Sequence, residues 1–427
     1  MPTDAKDRGA AREQLKRHNS AAQASEVVGD RALDDLVGGV SDALGIRPPA
    51  WGMSFFGSPR SWVPTRHSEY GLLYSWRVLR TARYVADVTI PSLPVTAPEW
   101  FPQPLAPFFW HPSRVAQQPD HNDSWTSHPH EAWLFINGIM TNDALAQLNA
   151  AYLADLFHRP VTLIENSTDG LLEDLAECAR EKSLGRNAEA TAKAFPAIYD
   201  ALKDPGKRRV VVIAHSQGTI IVSSVLRLMT LIYEGEQRRP AVVSEPRQTC
   251  EAVKAAGVRL DLSDFEPLDR DELAKLELYC FANCATNMQY VDATATGPLP
   301  WIESYGNEFD IVARLGMLAP HPRKRGVTID GPRYEHKGAW GHLLNQHYLH
   351  AIDQRQREGH RHGPEDTSAS PFDLINGDDY PAVSQPRLYR YLNGGSPLHE
   401  PAAPQAHDGR IAPTANRARR VRSQVGT

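Results

Sequence analysis

Cysteine is scarce in this chain, with only four among 427 residues: Cys178, Cys250, Cys280 and Cys284. That number is too small for a disulfide scaffold of this length, and the cysteines lack the paired C-x-x-C spacing of a zinc module. Both classes are therefore excluded. We expect reduced thiols buried as small apolar side chains, with Cys280 and Cys284 close together on one strand.

Charge of one sign is not in excess either, because 46 basic residues face 51 acidic ones for a net charge of −5. A chain without a global positive field would need a local basic patch to bind a polyanion, and the middle of the sequence has none. Four arginines cluster between residues 417 and 422, where a solvated tail is favoured over contact with an anionic surface. The sequence predicts no nucleic-acid partner.

Long apolar runs are also lacking. The first residues are polar and contain no apolar core of a Sec signal peptide. The most apolar region, residues 210–233, is interrupted by His215, Gln217 and Arg227, which is atypical of a membrane span. We therefore expect a cytoplasmic protein without a transmembrane segment, although non-classical secretion and the oligomeric state stay open.

The apolar fraction of 41% is slightly low, and its distribution divides the chain into four regions. Residues 1–50 are polar, with one amphipathic helix. Residues 51–129 hold six of the nine tryptophans among many prolines, which predicts irregular chain packed on the core or forming a lid. Residues 356–427 are so poor in large aliphatic and phenyl side chains that we expect a disordered tail, removable without loss of stability.

Residues 130–355 alternate between strand-like and helix-like patterns. Strands alternating with helices of 10 to 15 residues predict an α/β fold with a mostly parallel central sheet and helices on both faces. The predicted strands are 131–137, 159–165, 208–214, 276–285 and 302–308, and the predicted helices are 143–157, 171–182, 188–202, 217–233 and 341–354.

The five residues Ala214-His215-Ser216-Gln217-Gly218 join a β-branched strand to a long apolar helix. A nucleophile at such a junction requires small residues two positions before and after it, because the turn is very tight. Ala214 and Gly218 meet that requirement. We interpret Ser216 as a nucleophile, with an ordinary strand-to-helix turn as the alternative.

A developing oxyanion at Ser216 needs backbone donors. The N–H of Gln217 lies at a helix N-terminus, where the helix dipole is favourable. The second donor is expected in the turn Asn137-Gly138-Ile139, which follows another strand. Gly138 lets the backbone bend, so the N–H of Ile139, or else of Gly138, could serve, and a plain Asn-Gly turn is the alternative.

A serine hydroxyl requires a histidine as base and an acid to orient that histidine. His342 follows Gly341 at the start of the last predicted helix, and Asp310 follows a predicted strand. The chain order serine, acid, histidine is the one associated with nucleophile-elbow hydrolases. The reserve candidates are Glu308 and Asp292 for the acid and His336 for the base, whereas His347 and His350 are interpreted as packing or surface residues.

Residues 130–355 resemble the α/β-hydrolase superfamily, within it the lipase and serine-esterase branch. The elbow AHSQG is similar to the Ala-His-Ser-x-Gly variant of many lipases, although Asn137 stands where their oxyanion loop has histidine. Asp310 with Val312 resembles the acid loop, and Gly341-His342 with Leu344 the histidine loop. The resemblance implies hydrolysis of an acyl ester through an acyl-enzyme, without metal or cofactor. Separately, we expect a small-molecule or lipid-like acyl ester as the substrate.

Other readings of the same residues stay open. A phospholipase, a thioesterase, an amide hydrolase or an acyltransferase could use the same serine, acid and histidine. A non-catalytic binding scaffold would be recognised by a missing member of that set, and none is missing. A metal site at His121, Asp123, His128 and His130 is disfavoured because these residues lie in a Pro- and Ser-containing loop without helical spacing.

Overall fold

The computed structural model describes part of the chain: residues 48–58, 60, 67–73, 115–118, 128–138, 143–166, 188–236, 260, 262–290, 300–320, 322, 326–354, 370–380, 383 and 385–397. The contacts divide the chain into two units, Met1–Gly52 and Met53–Thr427. The first is described only from Pro48, where a helix begins. The sheet and the candidate site belong to the second.

Eight strands form one sheet in the order β1-β3-β2-β4-β5-β7-β9-β10. The six inner strands are parallel, whereas β1 and β10 pair antiparallel at the two edges. A separate parallel pair is formed by β6 and β8. The strands are β1 Val115–Gln118, β2 Glu131–Ile136, β3 Val161–Ile164, β4 Arg209–His215, β5 Leu276–Phe281, β6 Asn287–Met288, β7 Trp301–Asn307, β8 Thr328–Ile329, β9 Arg333–His336 and β10 Asp373–Leu374.

The helices cover both faces of the large sheet. Alternate residues of β4 point to opposite faces, so Val211 and Ile213 join one apolar cluster and Val210 and Val212 the other. Helices α3 and α7 pack on the first face and α4 and α5 on the second. The helices are α1 Pro48–Phe56, α2 Tyr70–Leu73, α3 Asp143–Phe157, α4 Ala188–Lys203, α5 Gly218–Glu236, α6 Arg270–Leu273, and α7, a π-helical turn at Leu344–Leu349 continued by α-helical residues 350–354.

This arrangement is an α/β-hydrolase fold, a mostly parallel central sheet with helices on both faces, and it confirms the predicted fold class. Helix α3 has the predicted bounds, whereas the closing helix begins at Leu344 rather than at Gly341. The predicted helix 171–182 lies outside the described residues. In the part of the chain that the structure describes, no helix is long and apolar enough to cross a membrane.

The prediction of a disordered tail from residue 356 is wrong for residues 370–380 and 385–397. Strand β10 pairs with β9, and a 3₁₀ segment at Arg387–Gly394 packs on the first face, with Leu388 and Tyr391 fully buried. Apolar composition failed to predict this order because much of it depends on polar groups that pair inside the protein.

A buried ionic network holds the 3₁₀ segment against the strands. The Arg387 guanidinium donates to Glu277 Oε1 at 3.0 and 3.2 Å, and the Tyr391 hydroxyl donates to Glu277 Oε2 at 2.7 Å. Arg209 also pairs with Glu277 and donates to the Pro397 carbonyl at 2.6 Å. Breaking such a pair is costly because it leaves an uncompensated charge inside the protein.

Glu303 gives this network a pH dependence. Its carboxylate accepts the backbone N–H groups of Arg387 at 2.7 Å and Leu388 at 3.3 Å, while burial raises its pKa from 4.5 to about 7. The folded protein therefore keeps this proton at pH values where the unfolded chain has lost it. The free energy of unfolding contributed by Glu303 must fall as the pH rises from about 4.5 to about 7.

We expect the substitution Glu303→Gln to remove this dependence, because an amide does not titrate. Between pH 4.5 and 7.5 the stability of the variant relative to the original protein should rise by up to about 3 kcal/mol. Urea unfolding at several pH values measures this difference. Stability curves that stay parallel across this range would contradict the expectation.

Candidate active site

The candidate site lies at the carboxyl ends of the parallel strands. Ser216 directly follows β4, Asp310 lies shortly after β7, and His342 lies beyond β9. Because the chain passes from β2 outward to β3 and then back to β4 on the other side of β2, strand order reverses between β2 and β4. Open α/β sheets bind ligands at such a switch point, just outside the carboxyl ends of the strands.

Ser216 is held in a strained turn. Its φ is +56°, a left-handed conformation that is uncommon for a residue with a side chain and is often found at functional sites. Gly218 lets the following helix approach β2, since a Cβ there would lie 2.4 Å from the Ile136 carbonyl oxygen. Ala214, the small residue on the other side, is fully buried. This is the tight turn that the sequence predicts.

One hydrogen-bond chain connects Ser216, His342 and Asp310. His342 Nε2 lies 2.9 Å from Ser216 Oγ, and His342 Nδ1 lies 2.8 Å from Asp310 Oδ2. All three side chains are buried. With Nδ1–H donating to the carboxylate, Nε2 is left to accept the serine hydroxyl, as a general base requires.

Asp310 is fixed by two further donors. Its Oδ1 accepts the Val312 N–H at 2.8 Å, and its Oδ2 accepts the Tyr348 hydroxyl at 2.6 Å. Burial and the neighbouring carboxylate raise the pKa of Tyr348 well above its usual value, so the hydroxyl stays protonated and donates. Tyr348 was not predicted from the sequence. The available signal was a tyrosine in the predicted helix that begins beside His342, since buried tyrosines usually find a hydrogen-bond partner.

Two of the three reserve candidates, His336 and Glu308, lie among the described residues and make other contacts. His336 pairs with Asn307 in the register of β9 and β7, and Glu308 accepts the Gly338 N–H at 2.7 Å. Asp292 lies outside the described residues. The hydrogen-bond chain from Ser216 runs through His342 and Asp310 rather than through His336 or Glu308.

The turn after β2 lies directly against the serine. A Cβ at Gly138 would be 2.3 Å from Ser216 Cβ and 2.7 Å from the His215 carbonyl oxygen, so only glycine fits without a shift. Gln217, the residue that follows Ser216, is also buried. Ile139, the preferred second backbone donor, lies outside the described residues.

Asn137 has a clear structural role at the position where the resemblance implies histidine. Its Oδ1 accepts the Asn166 N–H at 2.6 Å, and its Nδ2 donates to the Asn166 carbonyl at 3.1 Å. Asn166 Nδ2 in turn donates to Gln217 Oε1 at 2.7 Å. These amides connect the ends of β2 and β3 to the serine turn. Asn166 was not predicted from the sequence.

Two more histidines surround His342. His215 Nε2 lies 2.9 Å from the His342 carbonyl oxygen, and the two rings are 4.7 Å apart. Among the described residues, His215 Nδ1 has no hydrogen-bond partner. Burial, followed by the charge of a protonated His342, lowers the pKa of His215 well below its usual value, so the ring stays neutral.

His347 is the other neighbour, and the sequence predicts a packing or surface residue at this position. It is buried, and its Nδ1 accepts the Leu343 N–H at 2.9 Å. Burial lowers its pKa to about 3. Its ring touches the backbone at Gly341, where a Cβ would lie 2.5 Å from the imidazole and where φ is +104°. His347 is therefore a packing residue that remains neutral.

The described residues contain no group of three or more His, Cys, Asp or Glu side chains that could hold a metal ion. His130 is exposed, and its Nδ1 lies 3.0 Å from the Gly206 carbonyl oxygen, whereas His121 and Asp123 lie outside the described residues. Cys280 and Cys284 are buried free thiols, and Cys178 and Cys250 lie outside the described residues. Burial raises the pKa of the Cys280 thiol, which makes it a poor nucleophile.

Comparison with solved structures returns esterases at low similarity. A hyperthermophilic esterase from the archaeon Pyrobaculum calidifontis is 13% identical, with 57% of this chain and 78% of that chain covered and a TM-score of 0.29. Esterase B from Lactobacillus rhamnosis is 11% identical, with 67% and 91% covered and a TM-score of 0.31. No protein-family model and no curated protein matches the chain. The order and direction of the strands define the fold.

Proposed function

We propose that this protein is a serine hydrolase that cleaves carboxylic esters through an acyl-enzyme intermediate. The observation that carries the proposal is the unbroken hydrogen-bond chain from Ser216 Oγ through His342 to Asp310. It begins at a strained serine that lies just outside the carboxyl end of a central strand, where α/β folds bind ligands.

In the first half-reaction, the Ser216 oxygen attacks the acyl carbon of the ester while its proton passes to His342 Nε2. Asp310 keeps the imidazole in the required tautomer and stabilises the imidazolium that forms. The negative charge on the former carbonyl oxygen is stabilised by the backbone N–H of Gln217, at the N-terminus of α5, with the backbone N–H of Ile139 as the proposed second donor. Oxyanion donors of this kind are each worth about 10²- to 10³-fold in rate.

The first half-reaction ends when the tetrahedral intermediate collapses, the bond to the alcohol oxygen breaks, and His342 gives that oxygen the proton. The second half-reaction restores the serine. A water molecule then attacks the acyl-enzyme while His342 takes a proton from it. The bond from the acyl carbon to Ser216 Oγ then breaks, His342 returns the proton to Ser216 Oγ, and the carboxylic acid leaves. The balance is ester and water to acid and alcohol, without a redox step.

The substrate is proposed to be a small or lipid-like acyl ester. A phospholipid, a thioester, or an acceptor other than water would use the same residues, which makes phospholipase, thioesterase and acyltransferase the nearest alternatives. A binding scaffold without turnover is less well supported, because the serine, the base, the acid and the glycine turn are all present.

A panel of p-nitrophenyl esters of increasing chain length, with a thioester and an anilide for comparison, tests the proposal. We expect the wild-type protein to hydrolyse at least one ester, and the substitution Ser216→Ala to lower kcat by about 10⁴- to 10⁶-fold. Folded wild-type protein that hydrolyses no ester, or equal rates for both proteins, would contradict it. A thioester preferred over every oxygen ester would favour the thioesterase alternative.

A further inference from the structure

Two adjacent residues at the end of α1 each bond to a different loop of the candidate site. The Ser54 hydroxyl donates to the Phe309 carbonyl at 2.5 Å and accepts the Ile311 N–H at 2.7 Å. These two backbone groups lie on either side of Asp310. A single buried hydroxyl therefore holds the peptide both before and after the candidate acid.

Phe55 makes the corresponding contact with the candidate base. Its carbonyl oxygen accepts the His342 N–H at 2.8 Å, so the backbone of the histidine is bonded directly to α1. The Phe55 ring also lies edge-on to the imidazole, with centroids 5.4 Å apart and planes at 79°. Two consecutive residues thus hold the acid loop and the histidine loop at a fixed separation.

A second attachment lies farther along the chain. The Glu69 carboxylate accepts the N–H groups of Asn345 at 2.7 Å and Gln346 at 2.9 Å, at the start of α7. The Tyr70 hydroxyl donates to the Phe56 carbonyl and lies 2.9 Å from His347 Nε2. The same stretch of chain is therefore fixed to the helix that follows His342.

We propose that Ser54 is a positioning residue, which acts with the Phe55 carbonyl to keep Asp310 and His342 at hydrogen-bonding distance. This inference rests on the proposed function, because it assigns Ser54 a role in activating Ser216. Misplacing a reacting group by about 1 Å can cost about 10²-fold in rate. Without the Ser54 hydroxyl, the backbone groups on both sides of Asp310 lose their partner, so the acid loop can drift from His342.

The test is Ser54→Ala, which removes both hydrogen bonds and leaves the Phe55 carbonyl in place. The matched control is Ser223→Ala, which deletes another buried hydroxyl, one that donates to the Asn287 carbonyl between α5 and β6. Each protein is treated with an alkyl fluorophosphonate, and both the labelling rate and the final labelled fraction are measured. The values of kcat and KM on the best ester are measured as well.

For Ser54→Ala we expect a labelled fraction close to that of wild type, with the labelling rate and kcat lowered about 10- to 100-fold and KM nearly unchanged. Ser223→Ala should stay within about twofold, since its bond lies away from both loops. If Ser54→Ala does not fold, Ser54→Cys replaces it. The weaker hydrogen bonds of a thiol should then give an intermediate rate per labelled site.

Each outcome separates this inference from the proposed function. If wild type labels and Ser54→Ala labels at the wild-type rate, the positioning role is wrong while the proposed function stands. A smaller labelled fraction at an unchanged rate per site would also overturn the inference, because Ser54 would then serve only folding. If folded wild type does not label, the proposed function fails and the positioning role fails with it.

Discussion

Replacing His342 by alanine is expected to lower kcat for ester hydrolysis by about 10⁴- to 10⁶-fold, as removal of the base does in serine hydrolases. The substitution interrupts the hydrogen-bond chain at its centre: Ser216 loses its proton acceptor, and Asp310 loses one of its three donors. The Tyr348 hydroxyl and the Val312 N–H still bind the carboxylate, so the fold should survive.

The matched control is His336→Ala, because His336 is the second histidine that the sequence offers as a candidate base. His336 lies on β9, in the register opposite Asn307, so its removal should change kcat by no more than a few-fold. Thermal unfolding curves of both variants test whether each is folded. An inactive His336→Ala variant beside an active His342→Ala variant would reverse the assignment of the base.

Removing residues 360–427 is expected to lower the melting temperature by at least about 10 °C or to prevent folding. The truncation deletes β10 and the 3₁₀ segment that contains Arg387 and Tyr391. Glu277 would lose the Arg387 guanidinium, and Glu303 would lose two backbone donors. Breaking one buried ion pair typically costs about 3 to 5 kcal/mol.

A shorter truncation that removes only residues 398–427 provides the control, because it keeps every bond of that network, including the one from Arg209 to the Pro397 carbonyl. Circular dichroism melting curves of the two truncated proteins and the full chain should show the large change only for the longer truncation. A melting temperature within a few degrees of the full chain after removal of residues 360–427 would contradict the structure of the C-terminal segment.

The sheet was predictable where one kind of side chain dominates. The run RVVVIA predicts β4 because β-branched residues buried on both faces are typical of a central parallel strand, and all seven residues of β4 are buried. Edge strands β1 and β10 were not predicted. They are short, and each is bonded to a single neighbouring strand, so neither needs an apolar pattern.

The C-terminal segment shows why composition alone was insufficient. Its stability depends on charged side chains that form ion pairs with residues far away in the sequence, as Arg387 does with Glu277. A prediction from composition assumes that charged side chains are exposed to solvent, although these side chains are buried. A prediction from local sequence cannot detect a partner that is 110 residues distant.

The residues of the candidate site also differ in whether a local sequence pattern marks them. Ser216 and His342 are recognisable because the tight turns around them require small neighbours, which local sequence displays. Ser54, Phe55 and Asn166 act largely through backbone groups or through distant loops, so no local pattern marks them. The role of Asn137 was equally hidden, because its partner Asn166 lies 29 residues away.

Mass-spectrometric mapping after treatment with an alkyl fluorophosphonate tests the central claim most directly. We expect one phosphonyl group per chain, on Ser216, and no labelling of His342→Ala over the same time, since the serine must lose its proton to attack phosphorus. Folded wild-type protein that remains unlabelled, or carries the group on another residue, would contradict Ser216 as the nucleophile.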